Sequence, residues 1–239
     1  MDNGVVFPAS DGGFWVRQVQ GDVINAQWFG ANPNGSTITG TPIQAAINYA
    51  NGIGGGKVYL PEGRYMTAGR INLRDNVQLE GDGDGTVLLQ GAGDLVLSNT
   101  ATVGTAYSFA IQPLMNVRFV RTTVASPFAP GDWVRIRDEG IWRGNSDLNK
   151  NGIIFRVMRV NGDSTFLNGP IPWNVVLETE VIEKITPLTN ATVRNLRIEN
   201  PIPDRLLAAM NSFEFAVNLR FDNVTFVGSD QAGLELKSV

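Results

Sequence analysis

The chain has 239 residues, 43% hydrophobic and 18% charged, with a net charge of −4, the composition of a globular chain long enough to bury a sizeable core. It contains no histidine and no cysteine, which excludes imidazole bases, thiol nucleophiles, disulfides and metal sites built on imidazole or thiolate, and leaves carboxylates, Arg, Lys, Tyr and backbone groups for any chemistry. The negative balance supplies no global field for nucleic acid or anionic membranes, and no apolar run approaches the ~20 residues of a membrane span.

Residues 1–36 read as an irregular N-terminal segment in which Phe7, Phe14, Trp15, Trp28 and Phe29 sit among Gly, Asn and Asp, and its polar start does not resemble a secretory signal. The next stretch predicts a helix of about ten residues, with Thr41 as N-cap and Pro42 at the first helical position. Ile43, Ala46, Ile47 and Ala50 share one face of it, and Asn51-Gly52 ends it. Gly54-Gly55-Gly56 then lead into a strand over Lys57–Leu60 whose Val58 and Leu60 point inward.

From Val58 onward the pattern is strands and turns. The chain holds 27 Gly and 22 Asn, two residue types that tolerate left-handed backbone, so it turns often. One phrase recurs, Asn followed by apolar, any residue, apolar: Asn76-Val77-Gln78-Leu79, Asn116-Val117-Arg118-Phe119, Asn195-Leu196-Arg197-Ile198 and Asn223-Val224-Thr225-Phe226. The last two are 223 − 195 = 28 residues apart, a period that predicts stacked coils, each burying its apolar side only against its neighbours. Between the second and third phrases, residues 124–186 read as an antiparallel β insertion: Gly131–Arg137 forms a strand, and Phe155–Val160 turns at Asn161-Gly162 into Ser164–Leu167. The expected fold is a right-handed parallel β-helix with an N-terminal capping helix and this insertion. The expected divisions are 1–36, 37–123 for the helix and first coils, 124–186, and 187–239 for further coils.

Four motifs occur in order: Asp22-Val-Ile-Asn-Ala-Gln-Trp-Phe-Gly-Ala, Pro42-Ile-Gln-Ala-Ala-Ile, Gly54-Gly-Gly-Lys-Val-Tyr-Leu-Pro-Glu-Gly-Arg-Tyr and Asn76-Val-Gln-Leu-Glu-Gly-Asp-Gly. In these the chain resembles the pectate-lyase-like β-helix superfamily, and within it bacteriophage tailspikes and tail fibre depolymerases. The resemblance implies a helix capping the N-terminal end of the β-helix. It also implies a bacterial surface polysaccharide (capsule or lipopolysaccharide) as partner, a homotrimer, contacts with other virion tail proteins, and a place on the phage tail or outside the cell, with no nucleic acid and no membrane insertion. The alternatives are a bacterial polysaccharide lyase or epimerase of the same superfamily and a non-catalytic structural or adhesive β-helix. The Gly-Asp-Gly and paired aspartates usual before the helix are absent, the stretch being Asn34-Gly-Ser-Thr-Ile-Thr-Gly40. Gly233–Val239 reads as a strand in mid-coil, the expectation being an N-terminal portion of a longer spike whose active site lies inside or beyond these residues.

Glycoside cleavage needs two carboxylates, and elimination from a uronate needs a charge-neutralising group and a base. Glu235 and Lys237 share the face opposite Leu234 and Leu236, with Asp230 in the preceding turn, so Glu235, Asp230 and Lys237 are the candidate catalytic residues. Trp142, Arg143 and Asp147 are candidate sugar contacts, since an indole stacks on a sugar face while charged groups bind hydroxyls. Glu80-Gly-Asp82-Gly-Asp84-Gly reads as a tight turn and not a calcium loop, which needs a longer ligand series. Outward arginines such as Arg118, Arg121, Arg135, Arg137, Arg156 and Arg159 are expected to pair with carboxylates. No metal or cofactor is expected.

Overall fold

Short apolar-polar alternations broken at left-handed corners decide the architecture of this chain. The computed structural model describes residues 4–19, 21–91, 96–141, 150–172, 174, 180–201, 210–228 and 232–237. The N-terminal segment is more regular than its composition suggests. It forms an antiparallel hairpin of β1 (Val6–Pro8) and β2 (Phe14–Val16), then β3 (Val23–Asn25), a 3-10 turn and β4 (Asn34–Ile38).

The helix α1 (Gly40–Gly52) starts earlier than the sequence predicts, with Thr39 and not Thr41 at the N-cap position. The Thr39 hydroxyl donates to the Met66 carbonyl at 3.2 Å and so does not cap the helix. Tertiary contact overrides the local capping preference there. The predicted apolar face is observed: Ile43, Ala46, Ile47 and Ala50 are all fully buried. Burying the two isoleucines alone contributes about 1.5–3 kcal/mol each.

Behind the helix the coils follow as β5 (Gly56–Tyr59), β6 (Gly63–Thr67) and β7 (Ile71–Leu73), then β8 (Val77–Glu80), β9 (Thr86–Gln90) and β10 (Leu97–Asn99). The chain then builds a second unit from β11 (Thr102–Ser108), β12 (Phe119–Arg121), β13 (Trp133–Ile141), β14 (Lys150–Asn161), β15 (Ser164–Leu167) and β16 (Glu180–Thr186). It resumes coiling with β17 (Leu188–Thr189), β18 (Thr192–Glu199) and β19 (Asn211–Glu214), then β20 (Ala216–Val217), β21 (Arg220–Val227) and β22 (Glu235–Lys237). Met1–Thr100 with Leu188–Lys237 forms one compact unit and Ala101–Pro187 the other.

The first unit is a parallel β-helix. One stack runs β3-β5-β8-β18-β21, a second runs β4-β6-β9 onto the C-terminal halves of β18 and β21, and a third runs β7-β10-β19-β22. Inward side chains stack in register, as in the columns Ile24–Val58–Leu79–Val193–Phe221 and Tyr65–Leu88–Ile198–Phe226. Asn195 at φ 52° and Asn223 at φ 51° bend β18 and β21 from the first stack into the second. The corner before the first stack is a ladder of left-handed asparagines: Asn190 Nδ2 donates to Asn76 Oδ1 at 3.1 Å, and Asn218 Nδ2 to Asn190 Oδ1 at 2.9 Å. Gly55 occupies the corresponding corner one coil earlier, where its φ is 126° and a Cβ would come within 2.6 Å of the Asn76 carbonyl oxygen.

Unit 2 is an antiparallel sheet in the order β11-β16-β13-β14-β15-β12. Phe109 bridges Thr122, and the Ala110 N–H donates to the Arg121 carbonyl at 2.7 Å, which joins the two outer strands and closes the sheet into a small barrel. Val134, Ile136, Phe155, Val157 and Ile182 fill it. The hairpin at Asn161-Gly162 is as predicted, with Asn161 opposite Ser164. The antiparallel region opens with β11 at Thr102, ahead of the expected 124, because polar-apolar alternation does not tell an antiparallel strand from a coil strand. The phrase at Asn116 lies here as well and is no coil: Asn116 has the expected φ of 70°, but Phe119–Arg121 pairs antiparallel with β15. An asparagine corner marks a turn, not the sheet on either side of it.

Glu183 is 2% exposed and accepts from both Arg135 and Arg137, the latter through Nε at 3.1 Å. Glu183→Ala removes the buried carboxylate that two largely buried guanidinium groups share and is expected to destabilise unit 2 by about 3 kcal/mol in denaturant unfolding. Asn190→Ala forces alanine into a left-handed backbone and breaks the ladder on both sides, with an expected loss of about 1–2 kcal/mol, whereas Asn190→Gly loses less because only the hydrogen bonds go. Equal losses for the two Asn190 variants would show that the backbone conformation contributes nothing.

Candidate functional site

The third stack carries the outward face most suited to a polar ligand. Inward Ile71, Leu97 and Phe213 alternate with polar side chains on the other side of the strands, so Asn72, Ser98, Ser212 and Glu235 form one in-register column across four strands, in which Ser98 is buried and the other three are partly exposed. Ser98 Oγ donates to Asn72 Oδ1 at 2.9 Å, and Ser212 Oγ donates to Glu235 Oε2 at 3.0 Å. Asn211 lies on the inward side, where its amide accepts from the Leu97 N–H at 3.0 Å and donates to the Gly233 carbonyl at 2.7 Å. Asn99 clamps the next coil by bonding both the N–H and the carbonyl of Glu214.

Glu235 therefore stands where alternation placed it, on the outward face. The backbone of Lys237 is in register with Glu214. Asp230, Trp142, Arg143 and Asp147 lie outside the described residues. A second carboxylate, exposed Glu214, joins Glu235 on this face and was missed in the sequence. Its signal was the alternation Asn211-Ser212-Phe213-Glu214, read against Gly233–Lys237 at an offset of 235 − 212 = 23 residues. With strands about 4.8 Å apart and a rise of about 3.3 Å per residue, the Cα atoms of Glu214 and Glu235 lie about 8 Å apart. Two glutamate side chains from such positions reach either carboxylate separation used in glycoside cleavage, about 5 Å or about 6.5–9.5 Å.

Other titratable groups have structural duties. The Tyr65 hydroxyl, buried in the core, donates to the Pro61 carbonyl at 2.8 Å, and burial pushes its pKa up to about 12, so it holds its proton. The Tyr59 hydroxyl donates to Asp82 Oδ2 at 2.6 Å, and that bond raises its pKa too. Asp82 also accepts from the Glu62 N–H at 3.0 Å, and Gly83–Gly85 forms a 3-10 turn, as the glycine-aspartate alternation predicts. Arg121 pairs with Asp163 at 2.7 Å, Arg135 and Arg137 pair with Glu183, and Arg156 and Arg159 lie over the rings of Trp133 and Phe166. Among the described residues no cluster of three acidic groups is placed to hold a metal ion, and no helix is long and apolar enough to cross a membrane.

A family model described as rhamnogalacturonase A/epimerase, pectate lyase-like, matches residues 23–126. The tailspike gp61 of Pseudomonas phage phi297 superposes with a TM-score of 0.66 at 16% identity, over 87% of this chain and 39% of that one. The fold is a parallel β-helix. The Gp54 tailspike of Acinetobacter baumannii bacteriophage AP22, solved in complex with A. baumannii capsular saccharide, superposes with a TM-score of 0.58 at 17% identity, over 85% of this chain and 36% of that one. The mannuronan C5-epimerase AlgE1 of Azotobacter vinelandii is 39% identical over 95 residues, 34% of this chain. The β-helix chain spans 7% of that epimerase and well under half of either tailspike.

On the first stack of the β-helix, Glu80 meets Lys57 at 2.7 Å. Burial works to raise the Glu80 pKa, but the Lys57 and Gln78 hydrogen bonds and the charges of Lys57 and Arg194 outweigh it and hold the carboxyl below the ordinary value of 4.5. A depressed carboxylate stabilises the fold above its unfolded pKa, and that contribution is lost as pH falls through the folded value. Thermal melts should therefore fall below pH 4.5. Lys57→Met should melt lower than the natural chain above pH 4.5, with the gap closing in more acid solution. A gap independent of pH would remove the ion pair from this account.

Proposed function

We propose that this chain is the β-helix portion of a bacteriophage tailspike or tail fibre that binds a bacterial surface polysaccharide along the outward face of its third stack. The observation that carries this is the polar column Asn72–Ser98–Ser212–Glu235, set on a fold shared with tailspikes, one of which was solved with a capsular saccharide. A sugar chain offers many hydroxyls and few apolar faces, and the partly exposed Asn72 amide, Ser212 hydroxyl and Glu235 carboxylate, with exposed Glu214 beside them, match it. The tailspike assignment carries with it a homotrimer, contacts with other tail proteins and a place on the virion.

Cleavage would fall to Glu235. Held by the Ser212 hydroxyl, its carboxylate acts as base or nucleophile, with Glu214 as the second carboxylate of a hydrolase. Lys237 and Asp230, close to Glu235 in the sequence, would supply the cation and the further acid that elimination from a uronate calls for. The AlgE1 likeness favours a second reading, an epimerase or lyase that removes the proton beside a uronate carboxylate.

Incubation with capsule or lipopolysaccharide separates these outcomes. New reducing ends without ultraviolet absorbance mean hydrolysis, an absorbing unsaturated product means elimination, and inverted uronates in an unbroken chain mean epimerisation. Glu235→Gln is expected to lower release at least about 100-fold while polysaccharide still co-sediments with the protein. Undiminished release would exclude Glu235, and no binding to any capsule or lipopolysaccharide would end the proposal. The trimer is tested by sedimentation, where three chains of 25.9 kDa should move together.

A further inference from the structure

In unit 2, strands β12, β15 and β14 turn one surface to solvent. Val120, Val157 and Leu167 fill the barrel, so by alternation Phe119, Arg121 and Phe166 stand on its outside. Phe119 and Phe166 lie opposite each other with ring centroids 5.8 Å apart, and the Arg159 guanidinium sits 3.9 Å from the centre of the Phe166 ring. The register shifts between Val157 and Arg159, and at this bulge Met158 and Arg159 are both exposed. Leu114 and Met115 are exposed in the turn that leads into Arg118 and Phe119, closed by the Val117 N–H to the Leu114 carbonyl at 3.4 Å.

The charge of this surface opposes that of the chain. Among the described residues of unit 2, Asp163 pairs with Arg121, Asp132 with Lys184, and Glu183 with Arg135 and Arg137, while Glu180 is buried. Exposed Arg118, Arg156 and Arg159 have no carboxylate partner among the described residues, so the expected pairing fails at these three. They set a local positive field on a chain of net charge −4. Arg159 and Arg156 already lie over the rings of Phe166 and Trp133, the rings that a base or a sugar would need for stacking. What the surface offers instead is flexible and aliphatic, since Leu114 is 58%, Met115 52% and Met158 59% exposed. A partner that satisfies both features is negative at its surface and apolar just beneath. That is the arrangement of an anionic headgroup layer over acyl chains.

We propose that this surface of unit 2 docks on an anionic lipid membrane. Arg118, Arg156 and Arg159 meet headgroup phosphates, and Leu114, Met115 and Met158 reach the acyl boundary without any segment crossing the bilayer. The proposal stands on unit 2 alone and does not depend on the polar column of the β-helix.

The test is flotation of the full chain with vesicles of phosphatidylcholine and with vesicles of phosphatidylcholine mixed with phosphatidylglycerol, for the natural chain, Arg159→Gln, Met158→Ser and Arg220→Gln. Arg220, exposed in the other unit, controls for net charge, and all three side chains are exposed, so each variant is expected to melt like the natural chain. The natural chain should float with the mixed vesicles and not with phosphatidylcholine alone. Arg159→Gln should weaken that binding about fivefold and Met158→Ser about threefold, with Arg220→Gln unchanged. Equal binding to phosphatidylcholine alone, no binding to either vesicle, or an Arg159→Gln protein that binds like the natural chain would overturn the proposal. Weaker binding in Arg159→Gln but not in Met158→Ser would reassign the surface to a soluble polyanion, with a single-stranded oligonucleotide competing against the vesicles, and would overturn the lipid surface as well.

Discussion

Everything in the β-helix depends on parallel strands stacking in register, so that each inward side chain lies on its counterpart in the next coil. No coil has a core of its own. Ile24, Val58, Leu79 and Val193 are fully buried only because four successive turns of chain superimpose them. Superposition requires each corner to fall at the same place, and the left-handed asparagines provide this. Each bends the backbone at one defined residue and ties its amide to the same residue one coil away. Helix α1 deals with the end at which no earlier coil exists, laying Ile43, Ala46, Ile47 and Ala50 over the first layer.

The same constraint explains how the chain accommodates a barrel of its own length scale between two coils. Thr192 pairs with Gln78 at a separation of 114 residues, and removing the 87 residues of Ala101–Pro187 leaves 27, against 28 between Thr192 and Arg220. Coiling therefore resumes within one residue of the spacing it keeps afterwards. The Thr189 N–H donates to Asp75 Oδ1 at 2.7 Å, setting the returning strand onto the coil that preceded the departure. Since register governs only inward side chains and corners, outward positions are free to vary. That freedom lets one face hold hydroxyls, amides and the carboxylates of Glu214 and Glu235 while the first and second stacks carry ion pairs such as Lys57–Glu80 and Arg64–Glu199.

Much of the fold was legible because local and tertiary preferences agree. The helix face, the strand at Lys57–Tyr59, the hairpin at Asn161-Gly162 and the 28-residue repeat all appear as the patterns predict. The phrase at Asn116 misleads because turn chemistry is local, whereas the choice between a parallel and an antiparallel partner is made by distant chain. The site was legible only in part. Alternation put Glu235 outward, but Ser212, which hydrogen-bonds it, and Glu214, which shares its face, come from a strand more than 20 residues earlier, and no spacing rule written along one strand finds them.

By itself, then, the sequence determined where the chain bends, which side chains turn inward, and that no imidazole or thiol takes part in its chemistry. These are properties of single residues and their immediate neighbours, dictated by backbone sterics and side-chain hydrophobicity. Tertiary structure alone decided which strands lie side by side. It thereby decided that Asn72, Ser98, Ser212 and Glu235, spread over 163 residues (235 − 72), form one column, and that Gln44, Asn72 and Ser98 donate to the amide oxygens of Asn48, Gln44 and Asn72 in turn. Register between coils is a long-range quantity, summed over every buried contact in the stack, and no short stretch of chain contains it.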